Sequence, residues 1–551
     1  MRGIPWRLLG AGVATAILLD LPFPIAGPLP AWRTVFAWFA LAPLLVGLFR
    51  LHEREAGRGL RWRLGWSFLA GWLCGATWFG INCYWVYDTM HLYGGMNVAM
   101  AALSLVLFSL FLGVWFGVLA LALAVVREAT VGRRLEWVGF VAIPFLWVGM
   151  EFAIARVPSF PWDELGYSQI DNGLLMGLAP WTGVMGVSFV VAAMNAWVAV
   201  LVGKRRYFGF GGSLFTLFLI LVLTLAREGR TTVAPTATAM LVQPNLDVVN
   251  DDVWVGSEWD RQMAQFQKLG LDTCRSFLNG MPQTRAMMVS PECDPNAAKP
   301  VLLVWPESPA PFRGPDPKFQ AGVAAIAKAD AEPIIVGNVG MDTDPVTQQD
   351  AIYNSGSVVA LDGHVVGRYD KIHLVPFGEY VPARDLLFFA HKLTQEIGDT
   401  GRGTERKTFR IASADGNTHR YGIFICYESV FGDEIRQFVQ MGAEVLVNIS
   451  DDGWYGDTSA PWQHLNMARM RAIENRRWIL RDTNSGVTAA IDPYGTVRQS
   501  IPRHQVGVLA AQFGYETELT FYTRHGDWLG VVCAIVSIGI LGWSVRRLVH
   551  G

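Results

Sequence analysis

The chain is 551 residues long, enough for two or three domains; 52% of it is hydrophobic and its mean hydropathy is +0.28, above what a soluble enzyme needs. Its 45 Lys and Arg against 47 Asp and Glu leave a formal net charge of -2, so no bulk positive charge argues for nucleic acid as a partner. The charge is segregated: both terminal regions are apolar with clustered arginines, whereas the stretch from about Arg227 to Arg524 has the mixed polarity of a globular domain.

Apolar stretches of spanning or near-spanning length lie around Leu8 to Leu21, Thr34 to Phe49, Leu64 to Val86, Val98 to Val126, Trp137 to Ile154, Thr182 to Val202, Phe208 to Ala226 and Trp528 to Val545, eight in all. The first is short and runs into Leu21-Pro22-Phe23-Pro24, a pattern shared with signal peptides; no small-residue cleavage site follows it, so it is read as a helix. Basic residues recur in every second loop. Arg2 and Arg7 precede the first stretch, and Arg50, Arg54, Arg58, Arg61 and Arg63 follow the second. Arg127, Arg133 and Arg134 follow the fourth, Lys204, Arg205 and Arg206 the sixth, and Arg546 and Arg547 the eighth. Under the positive-inside rule this places both termini in the cytoplasm and the long segment after the seventh stretch outside it. The expected organisation is a transmembrane region over 1–226 with about seven helices, an extramembrane domain over 227–525, and a C-terminal transmembrane helix with a short cytoplasmic tail over 526–551. The aromatic and acidic loop Phe160-Pro161-Trp162-Asp163-Glu164-Leu165-Gly166-Tyr167 falls on the outer side and is expected to anchor at the membrane interface, with a lipid or substrate gate as the alternative.

From Thr236 the pattern changes to short strands at Ala239 to Gln243, Val301 to Trp305, Pro333 to Gly337, Ser355 to Leu361, Tyr421 to Cys426, Glu444 to Ile449, Gly486 to Ile491 and Gly507 to Gln512. Leu361-Asp362-Gly363-His364 and Asp492-Pro493-Tyr494-Gly495 carry hairpin turn signals. Helical periodicity appears at Phe319 to Asp330, Glu434 to Met441 and Pro461 to Asn475, so the domain is α/β. Six cysteines are too few and too scattered for a disulfide scaffold. Cys74, Cys83 and Cys533 fall in apolar runs as buried thiols, and Cys274 and Cys293 lie in a polar insertion at about 273–300, where an oxidising compartment would let them pair.

Three strand ends carry chemistry: Glu307 in Val304-Trp305-Pro306-Glu307-Ser308, Lys371 in Tyr369-Asp370-Lys371-Ile372-His373-Leu374, and Cys426 in Phe424-Ile425-Cys426-Tyr427-Glu428. Singly, each has an ordinary structural explanation as a cap, a surface lysine or a core thiol. Together, the order Glu, Lys, Cys, with each residue at a strand edge and inside its own local signature, is hard to obtain by chance.

The runs Trp305-Pro306-Glu307, Asp370 to Pro382 with its Pro376-Phe377-Gly378-Glu379-Tyr380, and Cys426-Tyr427-Glu428 resemble the three catalytic signatures of the nitrilase superfamily. The Pro-Phe-Gly-Glu-Tyr and Cys-Tyr-Glu versions resemble its membrane branch, the apolipoprotein N-acyltransferases. Gln243-Pro244-Asn245, Asn448 to Asp457, Pro461-Trp462-Gln463-His464, Met467 to Asn475, Asn484 to Thr488 and the Phe160-Pro161-Trp162 loop extend the resemblance over nearly the whole chain. The insertion between Cys274 and Pro300 departs from the pattern.

The resemblance implies an α-helical transmembrane bundle joined to a nitrilase-type αββα sandwich on the periplasmic side of a bacterial inner membrane. It implies Glu307, Lys371 and Cys426 as the catalytic triad: Glu307 moves protons, Lys371 and a backbone N–H near Tyr427 stabilise the oxyanion, and Cys426 forms a thioester. Glu379 is expected to support catalysis, Glu428 to position the nucleophile and Tyr427 to shape the pocket. Trp254, with Trp259 as the alternative, and Trp454 are the expected substrate-binding tryptophans. The implied donor is a membrane phospholipid, and the acceptor is the α-amine of the diacylglyceryl-cysteine that begins an apolipoprotein. A monomer is expected. No cofactor is implied and no metal, since His373, His391 and His464 lack a shared ligand spacing. A membrane-tethered amidase, which would use the same triad but transfer to water, is the alternative, followed by a catalytically silent scaffold.

Overall fold

The computed structural model describes residues 4–550 except 56, 132–134, 204–233, 249–258, 265, 267, 270–299, 309–311, 331, 344–349, 377, 381–399 and 414–415. The seventh apolar stretch, Trp254, His391, Cys274 and Cys293 therefore lie outside the described residues.

The N-terminal region contains α1 (Trp6–Asp20), α2 (Ala42–Arg54, entered through a 3₁₀ turn at Ala31–Trp38), α3 (Leu60–Asn82), α4 (Val98–Thr130), α5 (Glu136–Arg156) and α6 (Val184–Gly203). Among the described residues, six helical segments are long and apolar enough to cross a bilayer, against the eight stretches expected. The first stretch forms α1, but its 15 residues reach only about 22 Å at about 1.5 Å per residue, short of a hydrocarbon core of about 30 Å. Helices α3 and α4 pack through small residues at four-residue spacing, Gly71 and Gly75 against Gly113 and Gly117. A Cβ at Gly113 would come within 2.6 Å of the Ala76 backbone nitrogen, so the approach depends on the missing side chain.

The extramembrane domain is built on two sheets. The first contains β1 (Ala237–Gln243), β2 (Leu302–Trp305), β3 (Ile334–Thr343), β4 (Asp350–Val359), β5 (Val365–Asp370) and a short β6 (Thr400–Gly401). Its order is β13-β1-β2-β3-β4-β5, with β13 (Gly507–Phe513) at one edge and β6 beside β4. The second runs β12-β11-β10-β9-β8-β7, from β7 (Thr408–Ala412), β8 (Thr418–Ile425), β9 (Val445–Ser450), β10 (Ile479–Thr483), β11 (Thr488–Ile491) and β12 (Val497–Ile501). The sheets face each other through Ala239, Leu241, Val304 and Ile335 on one side and Ile423, Ile425, Val447 and Leu480 on the other. On β1 the alternate residues Met240 and Val242 face outward, under Phe319, Val323 and Ile326 of α7 (Pro317–Asp330). A strand covered on both faces reads as an unbroken apolar run, which is why β1 and β2 are legible in the sequence.

Two further helices, α8 (Gly432–Gln440) and α9 (Ala460–Asn475), cover the second sheet and complete an αββα sandwich. The chain then enters α10 (Trp528–His550), where Ser537 Oγ donates to the Phe145 carbonyl of α5 at 3.0 Å. Helix α9 is covered twice: Leu465, Ala468 and Ala472 pack on the second sheet, while Met467, Met470 and Ile473 join the core of the membrane bundle.

Both expected hairpin turns are present, between β4 and β5 and between β11 and β12, with Gly363 and Gly495 at positive φ. Strands β5, β6, β7, β10 and β12 lie outside the expected set. Strand β10 carries Arg481 and Asp482 wholly buried in the middle of a sheet, and a run with two charges does not read as a central strand. The charge of Arg481 is tolerated there because Asp452 pairs with it at 2.5 Å. Cys74, Cys83 and Cys533 are buried free thiols, as expected.

Candidate active site

Strands β8, β9 and β10 are parallel neighbours, so the residues that follow them arrive at one edge: Cys426 after β8, Asp451 after β9 and Asn484 after β10. The facing sheet delivers Glu307 just beyond β2 and Lys371 directly after β5. Cys426 adopts φ +46°, a left-handed conformation that a residue with a side chain holds only where its surroundings enforce it.

Lys371 is buried, and its Nζ donates to Glu307 Oε1 and Glu379 Oε1, both at 3.0 Å. Asn354 Nδ2 donates to the same two oxygens at 2.6 and 2.9 Å. The Asp451 N–H donates to Glu307 Oε2 at 2.8 Å, and the Val375 N–H to Glu379 Oε2 at 2.7 Å. Burial works against the Lys371 charge, but the carboxylates of Glu307 and Glu379 outweigh it and hold the ammonium well above the ordinary lysine range. Burial pushes the Cys426 thiol well above its ordinary value; the charge of Glu307 adds to this, and Lys371 opposes it. At rest Cys426 is therefore a protonated thiol beside a carboxylate and an ammonium. Asp451 is pushed up to about 8, by burial first and by Glu307 second.

Glu428 ties the thiol segment to the lysine segment. It accepts from Tyr369 Oη and the Ile372 N–H at 2.7 Å and the His373 N–H at 3.3 Å through one oxygen, and from the Ile425 N–H at 2.7 Å through the other. His464 of α9 places Nε2 at 2.9 Å from the Cys426 carbonyl and Nδ1 at 2.8 Å from Asp452 Oδ1. Arg481 outweighs the burial of Asp452, with His464 adding to its effect, and the carboxyl is held well below the usual range. Side-chain atoms of Cys426, Asp452 and His464 lie within 4.8 Å of one another, as metal ligands would. Both ring nitrogens of His464 already face protein oxygens, and Asp452 is paired with Arg481, so the group is a hydrogen-bonded cluster.

Tyr427 is buried, donates its hydroxyl to the Ser159 carbonyl at 3.1 Å, and stacks near Trp162. Trp162 also stacks on Phe160 and His464, and its Nε1 donates to Gln463 Oε1 at 2.8 Å. The aromatic loop expected to anchor in the membrane interface thus packs against α9 and Tyr427 instead, with Trp162 only 3% exposed and Asp163 and Glu164 buried. Trp454 is 41% exposed at the rim, edge-on to Tyr93, and its carbonyl accepts from Thr89 Oγ1. Trp259 packs on Phe312 with Lys318 over its ring, within the outer core of the first sheet. Asn354, Asp451, Asp452 and Arg481 were not anticipated as site residues; the adjacent acids after the buried strand β9 were the available signal for two of them.

The description "Apolipoprotein N-acyltransferase N-terminal domain" matches residues 15–197 and "Carbon-nitrogen hydrolase" matches residues 288–517. An apolipoprotein N-acyltransferase of Geobacter metallireducens is 33% identical over 99% of this chain and 96% of its own length. One from Pseudomonas putida is 32% identical over 98% and 97%, and one from Chlorobaculum tepidum 28% identical over 99% of both.

Proposed function

The chain belongs to the apolipoprotein N-acyltransferase family, and from that premise we propose that it transfers a fatty acyl group from a membrane phospholipid, through a thioester on Cys426, to the N-terminal α-amine of a diacylglyceryl apolipoprotein. The observation that carries the reading is the Lys371 ammonium held at 3.0 Å by Glu307 and by Glu379 beside a buried thiol. Because the thiol is protonated at rest, attack on the ester carbonyl requires a base in reach, and Glu307 takes that proton as the C–S bond forms. Lys371 Nζ and the Tyr427 N–H face the oxyanion of the tetrahedral intermediate. As the intermediate collapses, the C–O bond to the lysophospholipid breaks and Glu307 returns the proton to the departing oxygen. In the second half the α-amine attacks the thioester, Glu307 accepts its proton, and as the C–S bond breaks Glu307 passes that proton to the Cys426 sulfur, which leaves as the thiol. Glu379 supports the ammonium, and Glu428 holds Cys426 in line with the Lys371 segment. Trp454 and Trp254 are proposed substrate contacts.

The multi-pass bundle accounts for the substrates: the donor is a bilayer phospholipid and the acceptor a lipid-anchored protein, so the nucleophile must sit at headgroup depth. We take residues 227–525 as the catalytic domain, on the periplasmic side of the inner membrane, in a monomeric enzyme. The test is the intact mass of detergent-purified protein after incubation with phospholipid, for wild type and Cys426→Ala. A gain of one acyl group in wild type alone, discharged by a diacylglyceryl peptide, supports the reading. No adduct, or discharge by water only, turns it to a membrane-tethered amidase.

A further inference from the structure

The peptide joining Cys426 to Tyr427 is a planar trans unit, so its carbonyl and its N–H point in opposite directions. Whatever fixes the Cys426 carbonyl therefore aims the Tyr427 N–H. The carbonyl lies 2.9 Å from His464 Nε2, and because a carbonyl only accepts, that nitrogen carries the proton and donates. Behind His464 stands Asp452, at 2.8 Å from Nδ1, which in turn accepts from Arg481 Nη2 at 2.5 Å and Ser450 Oγ at 3.0 Å. All four side chains are fully buried, and the imidazole is fixed on one face by the Trp162 ring, 6.1 Å away at 19°.

We propose that His464, backed by Asp452 and Arg481, is a positioning residue for acyl transfer that aims the Tyr427 N–H at the oxyanion and polarises it. The inference rests on the reading of Cys426 as the nucleophile. Two consequences of the hydrogen bond support it. The bond holds the Cys426 residue in its left-handed conformation, which an unsupported side-chain-bearing residue would leave. It also draws electron density toward the carbonyl oxygen of the same amide, which makes the N–H a better donor, since hydrogen bonds in a chain strengthen one another. A histidine buried merely to fill the core would have no reason to donate to the one carbonyl whose peptide carries the oxyanion donor.

The test separates the oxyanion from the thiol. Wild type, His464→Gln and His464→Asn are prepared as full-length protein in detergent, and their melting is followed so that rates are taken per folded molecule. Gln places an amide N–H where Nε2 stood and keeps the bond to the Cys426 carbonyl; the shorter Asn reaches Asp452 only. Two rates are measured on Cys426 by intact mass: acyl-adduct formation from phosphatidylethanolamine in mixed micelles, and alkylation by iodoacetamide, a direct displacement with no oxyanion. The expected result is acylation slowed on the order of 100-fold in His464→Asn, the scale of one lost oxyanion donor, with most of the rate kept in His464→Gln and wild-type alkylation in both. Equal loss of both rates in His464→Asn, equal acylation in the two variants, or no loss at all would overturn the inference. Wild-type protein that forms no adduct would overturn the reading of Cys426 itself.

Discussion

The Lys371 ammonium stands 3.0 Å from Glu379, the same separation it keeps from Glu307, so its charge is shared between two carboxylates. Glu379→Gln keeps the shape and removes one of these charges. The ammonium then moves toward Glu307 and away from the oxyanion. Acyl-adduct formation should slow on the order of 100-fold with melting little changed; a wild-type rate in the time course would remove Glu379 from the machinery.

Glu428 accepts hydrogen bonds at both oxygens, and one of them takes the Ile425 N–H. In Glu428→Gln one accepting position becomes an NH2 group, and in either orientation it faces a backbone donor. Leaving a buried donor unpaired costs about 1–3 kcal/mol, so the variant should melt at lower temperature and acylate more slowly. Thermal unfolding in detergent checks this, and an unshifted midpoint counts against it.

Asp451 gives a pH dependence with a definite sign. Its carboxyl is pushed up to about 8 in the folded chain, from about 4 when unfolded, so the folded state binds the proton more tightly. The stability this contributes is complete below about pH 4 and is lost as pH rises toward 8. Asp451→Asn does not titrate. The melting temperature of wild type relative to Asp451→Asn should therefore fall between about pH 5 and about pH 8. A difference that is flat with pH, or that grows, contradicts it.

Arg471 and Glu474 form a buried ion pair where α9 meets the membrane bundle: Arg471 also donates to Tyr167 Oη at 2.9 Å, and Glu474 accepts the Val184 N–H at 2.9 Å. Arg471→Met leaves Glu474 without its counter-charge and should destabilise by roughly 3–5 kcal/mol. Adding Glu474→Gln should recover part of the loss, because the two effects are coupled. Melting midpoints of the single and double variants decide this; strict additivity would mean that the pair is not coupled.

Glu307, Lys371 and Cys426 were legible because each lies at or just beyond a strand end, and Glu379 and Glu428 because each sits inside a distinctive local run beside them. Their supports were not, because they meet the site through pairing between distant segments. Asn354 lies inside β4, and the β4–β5 register of Ser355 opposite Asp370 is what brings it beside Lys371, whose N–H donates to the Asn354 carbonyl. Arg481 reads as a reason against a strand until Asp452, from a different loop, neutralises it. Trp162 was misplaced because a tryptophan near a span end has the same signature whether it meets lipid headgroups or a protein helix; only the fold puts α9 over it.

Helix α9 has no outward side. If residues 227–525 were cut free, Met467, Met470 and Ile473 would become bare hydrocarbon on the fragment's surface, and the Arg471–Glu474 pair would open to water. His464 and Gln463 would lose the Trp162 ring that braces them. Such a soluble fragment would aggregate or loosen directly behind the Cys426 thiol, so the helices of the membrane bundle back the pocket around that thiol as well as tethering the domain.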